Sequence, residues 1–140
     1  MKTVNEAITP VFITLNGDST LQGHLGSSGR VIKAPTRPND LAPPVLTLRL
    51  LPAGILGEQS ALDESLLWIN LYLTNNSDGT PNMVLAGTIE SRIETLIGDK
   101  YLTNSGTTVH PYRYLPGRLL PVDPEAKNEH IWNFQYRIVA

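Results

Sequence analysis

Residues 66–98 have the sequence LLWINLYLTNNSDGTPNMVLAGTIESRIETLIG, which contains both the strongest strand signal and the strongest helix signal of the chain. Over the first nine residues, side chains alternate between two faces, the period-two pattern of a β-strand. One face carries Leu67, Ile69, Leu71 and Leu73, and the other carries Trp68, Asn70 and Tyr72. Because both faces are largely apolar, we expect this strand to be central in its sheet or to lie at a subunit interface.

The second half of this stretch predicts an amphipathic helix that ends at Gly98. Thr80 is the expected N-cap, and Pro81 would occupy the first helical position, where its missing N–H is tolerated. Apolar residues recur at helical spacing along one stripe, namely Leu85, Ile89, Ile93 and Leu96. A single helix of this kind can cover only one face of a sheet.

The N-terminal segment predicts two short helices. The first has Thr9 as its expected N-cap and Pro10 at its first position, because proline is poorly tolerated inside a helix. The second follows directly, with Asp18 or Ser19 as N-cap and Gly26 as its C-terminal stop.

A long hairpin is predicted in the middle of the chain. Residues 30–33 form a short strand, and residues 34–44 hold four prolines in eleven positions, which predicts an extended surface loop. Residues 45–51 then alternate with period two. Paired with residues 66–74, they form an extended hairpin whose connector is residues 52–65.

The last third of the chain predicts two strands, starting at Val109 and separated by a proline-containing turn at residues 121–124. In the final strand, Trp132, Phe134, Tyr136 and Ile138 alternate with Asn133, Gln135 and Arg137, so we expect one buried and one wet face. Residues 1–140 thus predict a single α+β domain. Its antiparallel or mixed sheet carries the main amphipathic helix on one face, with a short N-terminal helix beside it.

Composition narrows the class of protein. The chain has 140 residues, the size of one domain, of which 41% are hydrophobic and 17% charged. Its 11 basic and 13 acidic residues form no basic block, which argues against a dedicated nucleic-acid binder. The low charge suits a surface that partners cover. The absence of cysteine excludes a disulfide and thiolate chemistry. Because the sequence has no membrane-length apolar run and no signal-peptide pattern, we expect a soluble, non-secreted domain with no membrane contact.

The sequence contains no convincing catalytic, cofactor-binding or metal-binding constellation. His24, His110 and His130 are far apart and lack HxxxH or HxH spacing, so we interpret them as scattered surface or sheet histidines. Glu90 and Glu94 lie one turn apart on the predicted helix, and we interpret them as its solvated face. No serine lies in a GxSxG or SxxK motif, and no glycine run resembles a phosphate-binding loop. We therefore expect no enzyme activity and no cofactor.

Two stretches predict a protein interface. Tyr112, Arg113 and Tyr114 interleave aromatic and basic side chains, which suits single-stranded nucleic acid but is also typical of protein contacts, the interpretation we favour. The connector of the hairpin carries three apolar residues, Ile55, Leu56 and Leu62, and it either docks on a partner as an arm or folds back onto its own sheet. Together with two aromatic residues of the central strand, the predicted interface residues are Ile55, Leu56, Leu62, Trp68, Tyr72, Tyr112, Arg113 and Tyr114.

Over nearly its whole length, the chain resembles the phage tail-completion and tail-terminator family, of the siphophage head–tail joining type. The motifs that carry the resemblance are a D-x-x-L-x-x-x-L-G segment at residues 18–26, the tripeptide GRV at 29–31, a proline-rich loop, and the entry PPV to the first long strand at 43–45. The later order is also similar: a long strand, one helix, and a closing hairpin that ends in the aromatic strand IWNFQYRIV.

The resemblance implies a structural virion protein of a tailed bacteriophage, assembled in the host cytoplasm. Members form homohexameric rings that terminate the tail tube at its head-proximal end and receive the head connector. The implied partners are further copies of this chain, the tail tube protein, and the head connector or neck protein. Double-stranded DNA would only pass through the lumen.

Three other interpretations stay open. One is another neck or tail-tube subunit of the same virion. A second is a small monomeric module that binds a peptide or single-stranded nucleic acid through Tyr112, Arg113 and Tyr114. The third is an enzyme with a motif-free site that uses His110 or His130.

Overall fold

The computed structural model of the chain describes residues 4–52, 64–121 and 128–139. In these ranges the chain forms three helices and six strands. In chain order they are α1 (Val4–Asn16), α2 (Ser19–Leu25), β1 (Val31–Ile32), β2 (Val45–Pro52), β3 (Glu64–Thr74), α3 (Met83–Ile97), β4 (Leu102–Asn104), β5 (Thr107–Leu119) and β6 (Glu129–Val139).

The strands form one six-stranded sheet in the order β1-β2-β3-β6-β5-β4. Only β1 and β2 are parallel, so the sheet is mixed and the predicted α+β class is confirmed. Strands β2 and β3 form the predicted long hairpin. They pair antiparallel, from Val45 opposite Tyr72 to Pro52 opposite Ser65. β3 lies between β2 and β6, as its two apolar faces predicted.

Alternation along the strands divides the sheet into two faces. The helix face carries Leu48, Ile69 and Phe134, which pack with Val11 of α1 and Ile93 of α3 in one hydrophobic core. The opposite face, called here the far face, carries Thr47 and Arg49 of β2, Trp68, Asn70 and Tyr72 of β3, and Asn133, Gln135 and Arg137 of β6. The helices therefore form a second layer on one side of the sheet.

The sequence analysis expected α1 to begin at Pro10, but the helix begins earlier. It begins at Val4 and continues through the proline. Ala7 and Ile8 before Pro10, and Val11 and Leu15 after it, are all buried. Core packing on both sides of the proline thus outweighs the helical hydrogen bond that it cannot form.

Helix α3 begins two residues later than the Thr80 cap predicted. Its N-cap is Asn82, whose Oδ1 accepts a hydrogen bond from the Leu85 N–H at 3.2 Å. Thr80 instead belongs to the preceding turn, where its N–H donates to Asp78. The helix ends at Gly98 as predicted. Its buried side is rotated from the predicted stripe, and the buried residues are Ala86, Ile89, Glu90, Ile93 and Ile97.

The alternation predicted a solvent-exposed far face for β6, but the centre of this face is buried. Asn133 and Gln135 are 0% and 3% exposed. Asn133 Nδ2 donates to Asn70 Oδ1 at 2.7 Å, and Gln135 Nε2 donates to Asn133 Oδ1 at 3.1 Å. Buried amides are tolerated when they bond to one another, so the far face has a polar centre.

The proline-rich loop was correctly predicted, and it returns to the edge of the far face. The Arg37 guanidinium lies 5.9 Å from the centre of the Tyr72 ring and donates to Glu129 at 2.9 Å. One strand escaped the sequence analysis: β4 has only three residues, and it pairs with β5 through a turn at Ser105 and Gly106, both with positive φ.

Helix α2 is tied to α3 through Asp18. As predicted, Asp18 caps α2, because its Oδ2 accepts from the Leu21 N–H at 2.8 Å, and the helix ends at Gly26 with φ of 92°. The Arg92 guanidinium also donates to both carboxylate oxygens, at 2.7 and 2.9 Å. The hydrogen bond from Arg92 holds the pKa of Asp18 below its usual value.

We expect Asp18→Asn to keep the cap of α2 but lose the ion pair, and Asp18→Ala to lose both, the cap contributing about 1 kcal/mol. Because the pKa of Asp18 is lowered by folding, the unfolded chain binds more protons as the pH falls through the window between the usual and the lowered value. Stability is therefore lost in that window. Urea unfolding from about pH 7 to about pH 3 should show a steeper loss for the wild type than for Asp18→Asn, and equal slopes would contradict the assignment.

Candidate assembly surface

One end of the far face carries a cluster of exposed and partly exposed side chains, most of them aromatic. We call it the aromatic corner; it consists of Tyr101, His110, Tyr112, Tyr114, Arg137 and Val139. Strand register places Tyr112 opposite Arg137 and His110 opposite Val139. Tyr101 joins them from the segment between α3 and β4. Tyr101 is 75% exposed and Tyr114 47% exposed, so the corner presents apolar rings to the surroundings.

The rings of the corner form a layered platform. Tyr101 and His110 stack with their centroids 4.4 Å apart, and His110 lies 6.1 Å from Tyr112 in a tilted arrangement. The Arg137 guanidinium lies 5.6 Å from the centre of the Tyr114 ring. A groove of about 310 Å³ opens beside Tyr101, His110 and Val139. Exposed Tyr and Arg around a shallow apolar groove are typical of protein contacts.

His110 is held in this platform by a carboxylate. Its Nε2 lies 2.7 Å from Asp99 Oδ1, and Asp99 is in the left-handed region at the end of α3. The other two histidines lie elsewhere: His24 is in α2, and buried His130 contacts Asn75 through Nδ1 at 2.6 Å. Burial lowers the pKa of His130. Across residues 4–52, 64–121 and 128–139, no three histidine, aspartate or glutamate side chains converge as a metal site would require.

The structure separates the predicted Tyr112-Arg113-Tyr114 group. Tyr112 and Tyr114 belong to the aromatic corner, but Arg113 points to the helix face, where it forms ion pairs with Glu90 and Glu94. Adjacent residues of a strand face opposite sides, and this is why the three cannot form one surface.

The other predicted interface residues are scattered. Trp68 lies on the far face between Arg49 and Gln135, and within the described part of the chain its buried Nε1 has no hydrogen-bond partner. Tyr72 is partly buried near Arg37. Ile55, Leu56 and Leu62 lie outside the described residues, although the strands that lead to them end beside the corner, since Glu64 pairs with Val139.

The sequence analysis interpreted Glu90 as part of a solvated helix face. In the structure the residue is 8% exposed, and its carboxylate faces the sheet. It accepts hydrogen bonds from Trp132 Nε1 at 2.7 Å and from the Gly117 N–H at 3.0 Å, and it forms an ion pair with Arg113. A buried carboxylate is tolerated only when such donors replace water. The sequence signal for this burial is weak: Glu90 lies directly beside the apolar stripe of the predicted helix.

Glu94 extends the same network by one helical turn. It accepts from Arg113 Nη1 at 3.1 Å and from the Tyr136 hydroxyl. Burial, followed by this hydrogen bond to Glu94, raises the pKa of Tyr136. The network thus fixes Arg113 on the helix face, and the backbone on either side of it then presents Tyr112 and Tyr114 in the corner.

A second exposed apolar patch lies at the N-terminal end of α3. Met83 and Val84 form the N-terminal end of α3, and they are 46% and 82% exposed. We call them the helix-end patch. The corner begins beyond the C-terminal end of α3, a helix of 15 residues that is therefore about 20 Å long.

Among the described residues no helix is long and apolar enough to cross a membrane.

Comparisons with solved structures show that the fold has precedents. A chain from the virion of a native gene transfer agent (GTA) particle matches with a TM-score of 0.69 and 16% identity, over 99% of this chain and 98% of its own length. A second solved structure matches with a TM-score of 0.58 and 14% identity, over 99% and 96% of the two chains. No protein-family model and no curated protein sequence matches. At these identities, the likeness shows a shared fold over the whole chain.

Gly117 provides a test of the Glu90 network. A Cβ atom at this position would lie 2.1 Å from Glu90 Oε1 and 2.1 Å from Trp132 Nε1, so we expect Gly117→Ala to lower the free energy of unfolding by on the order of 3 kcal/mol. The matched control is Gly87→Ala on the exposed side of α3, where nothing lies within 4 Å of the added atom. That change should raise stability by up to about 1 kcal/mol. Denaturant unfolding of both variants measures the difference, and a neutral Gly117→Ala would contradict the network.

Proposed function

We propose that the chain is a structural protein of a phage-like virion, and that it forms a ring that closes the tail tube at its head-proximal end. The observation that carries the proposal is the fold shared over 99% of the chain with a chain of the GTA virion. The sequence motifs that resemble the tail-terminator family supply the finer assignment. The implied partners are further copies of the chain, as a hexamer, together with the tail tube protein and the head connector.

The surface chemistry supports a role in assembly. A closed ring of identical subunits needs two different contact surfaces on each subunit, one for each neighbour. The aromatic corner and the helix-end patch are two apolar surfaces at opposite ends of α3. A net charge of −2 also suits a ring through which DNA slides, because a strongly basic lining would retain the phosphate backbone.

A monomeric module for single-stranded nucleic acid has less support. Such a module needs aromatic rings and cations on one surface. Arg113 is drawn to the opposite side of the sheet by Glu90 and Glu94, so the cation that remains beside Tyr114 is Arg137, and one arginine is too few for a phosphate-binding footprint. The closest rival is another neck or tail-tube subunit of the same virion, which would share the fold and differ in where it binds.

Negative-stain imaging of the purified protein, alone and mixed with isolated tail tubes, tests the proposal. We expect rings, or caps confined to one end of each tube. Decoration along the tube would instead indicate a tube subunit, and binding only to isolated connectors would indicate a neck protein. Featureless monomers under all conditions would refute a ring-forming role.

The connector of the long hairpin is proposed as an arm that reaches the neighbouring subunit. We expect Leu56→Asp combined with Leu62→Asp to weaken oligomerisation while the monomer stays folded, since two carboxylates would have to be desolvated in the contact. The control variant Gln59→Asp with Ser60→Asp adds the same charge to the same segment but removes no apolar side chain. Sedimentation gives the assembly state, and circular dichroism gives the fold. Unchanged assembly of the Leu56 and Leu62 variant would exclude the arm.

A further inference from the structure

We infer that the open edge of β2 receives the connector of the next subunit, residues 52–65, as an added strand. The occupant of this edge is thus a segment of a second copy of the chain. This inference rests on the proposed ring function, and it names the surface on which the proposed arm docks.

The edge of β2 is open along its second half. Strand β1 pairs only with Leu46 and Thr47, so within the described residues the stretch 48–52 has β3 on one side and no strand on the other. The Leu46 N–H donates to Arg30 O at 2.8 Å, on the side away from β3. Because the backbone groups of a strand alternate between its two neighbours, the N–H and C=O of Leu50 point to the same open side. Such groups form a template for an extended segment.

A groove of about 340 Å³ lies beside this edge. Its apolar lining includes Ile8 of α1 together with Leu48 and Leu50 of β2, all three of which are buried. Residues 33–35, which follow β1, also line it. A segment that pairs with β2 here can place every second side chain against the apolar lining, as in peptide recognition by strand addition.

The groove is positively charged. Among the described residues that line it are Lys33 and Arg49, and no acidic one. The Lys33 ammonium lies 5.0 Å from the centre of the Phe12 ring. Exposed Arg49 forms no ion pair in the described part of the chain, and residues 66–70 of β3, which lie across from it, carry no charge. A segment with carboxylates would therefore be attracted to this edge.

The connector has the complementary composition. Its residues 53–63 carry Glu58 and Asp63 and no basic residue, together with Ile55, Leu56 and Leu62. Two other segments of more than one residue lie outside the described ranges, and each contains a lysine. Residues 122–127 also contain a proline, which interrupts strand pairing. Of these three segments, the connector is the one suited to the groove.

The length of the connector favours the groove of another copy over its own. Pro52 lies opposite Ser65, so the connector leaves and returns on adjacent strands. To reach Leu48 along the open edge of its own β2, turn, run forward again and cross to β3, the chain would need a path of at least about 40 Å. Fully extended, the chain from Pro52 to Glu64 spans about 40 Å, which leaves no residue for the turn. Projecting from the sheet as a hairpin tip, it would reach about 20 Å beyond the strand ends, enough to contact a neighbour.

Cysteine cross-linking tests the contact directly, because the chain has no cysteine of its own. The variants are Ala34→Cys, in the lining of the groove, and Ser60→Cys, in the connector, and both keep every charge. The two single variants are mixed, assembled alone or on tail tubes, and treated with a short bis-maleimide. We expect covalent dimers from the mixture and none from either variant alone. The control mixture of Thr103→Cys with Ser60→Cys places the thiol on β4, at the opposite edge of the sheet, and should give no dimers.

The doubly substituted chain shows which copy supplies the connector. With Ala34→Cys and Ser60→Cys in one chain, a connector that docks on the next subunit gives a ladder of covalent oligomers that ends at the ring size. A connector that folds back onto its own β2 gives a cross-linked monomer instead, and this result would overturn the inference.

A charge reversal measures what the cation of the groove contributes. We expect Arg49→Glu to raise the concentration needed for half-assembly by about tenfold, with native circular dichroism, because it places a carboxylate beside an acidic segment. Arg118→Glu is the matched control, since Arg118 is another exposed arginine that forms no ion pair among the described residues. Equal effects of the two variants would mean that only the net charge matters, and would contradict the contact.

The outcomes separate this inference from the proposed function. Rings without covalent dimers from the mixture would overturn the docking of the connector on β2 while leaving the ring intact. Covalent dimers together with open filaments would support the docking and refute the closed ring. Absence of both rings and dimers would overturn the two together.

Discussion

The structure depends on one buried carboxylate. Glu90 projects from α3 into the sheet, where Trp132, Arg113 and the backbone of Gly117 supply the donors that replace its water. An unpaired charge buried at this position would destabilise the fold strongly, so the fold depends on all three donors. They come from both strands of the β5–β6 hairpin, and one of them requires a glycine because no Cβ fits there. The carboxylate thus fixes how the hairpin lies on the helix.

This constraint reaches the opposite side of the sheet. A strand that commits Arg113 to the helix face must present its neighbours on the far face, since the side chains alternate. Tyr112 and Tyr114 are therefore displayed beside Arg137, on a sheet whose centre is closed by bonded amides and whose rim is aromatic. The bonded amides thus give the far face a polar centre, and the exposed rings of Tyr101 and Tyr114 lie at one end of it.

Period and capping signals were sufficient to predict most of the elements. The central strand, the long hairpin, α2 with its Asp18 cap and the end of α3 at Gly98 follow from local patterns. What escaped prediction depends on tertiary contacts. Pro10 lies inside α1 because its neighbours are buried, and Glu90 is buried because distant donors meet it. Of the predicted interface, Tyr112 and Tyr114 lie in the corner, whereas Tyr101 joins it only through the fold. The predicted arm residues lie outside the described ranges.

The proposed ring would give the exposed apolar side chains of the chain a partner. Val84 and Tyr101 are 82% and 75% exposed, and burying them in the subunit contacts of the proposed ring would remove apolar area from water without breaking an ion pair. The two lie at opposite ends of α3, so in the proposed ring the rotation between successive subunits would depend on α3 and on the hairpin that Glu90 holds against it. A head-to-tail contact closes only when that rotation divides a full turn, and otherwise gives a filament. In that ring, the Glu90 network would bear on closure as well as on stability, because it holds the β5–β6 hairpin against α3.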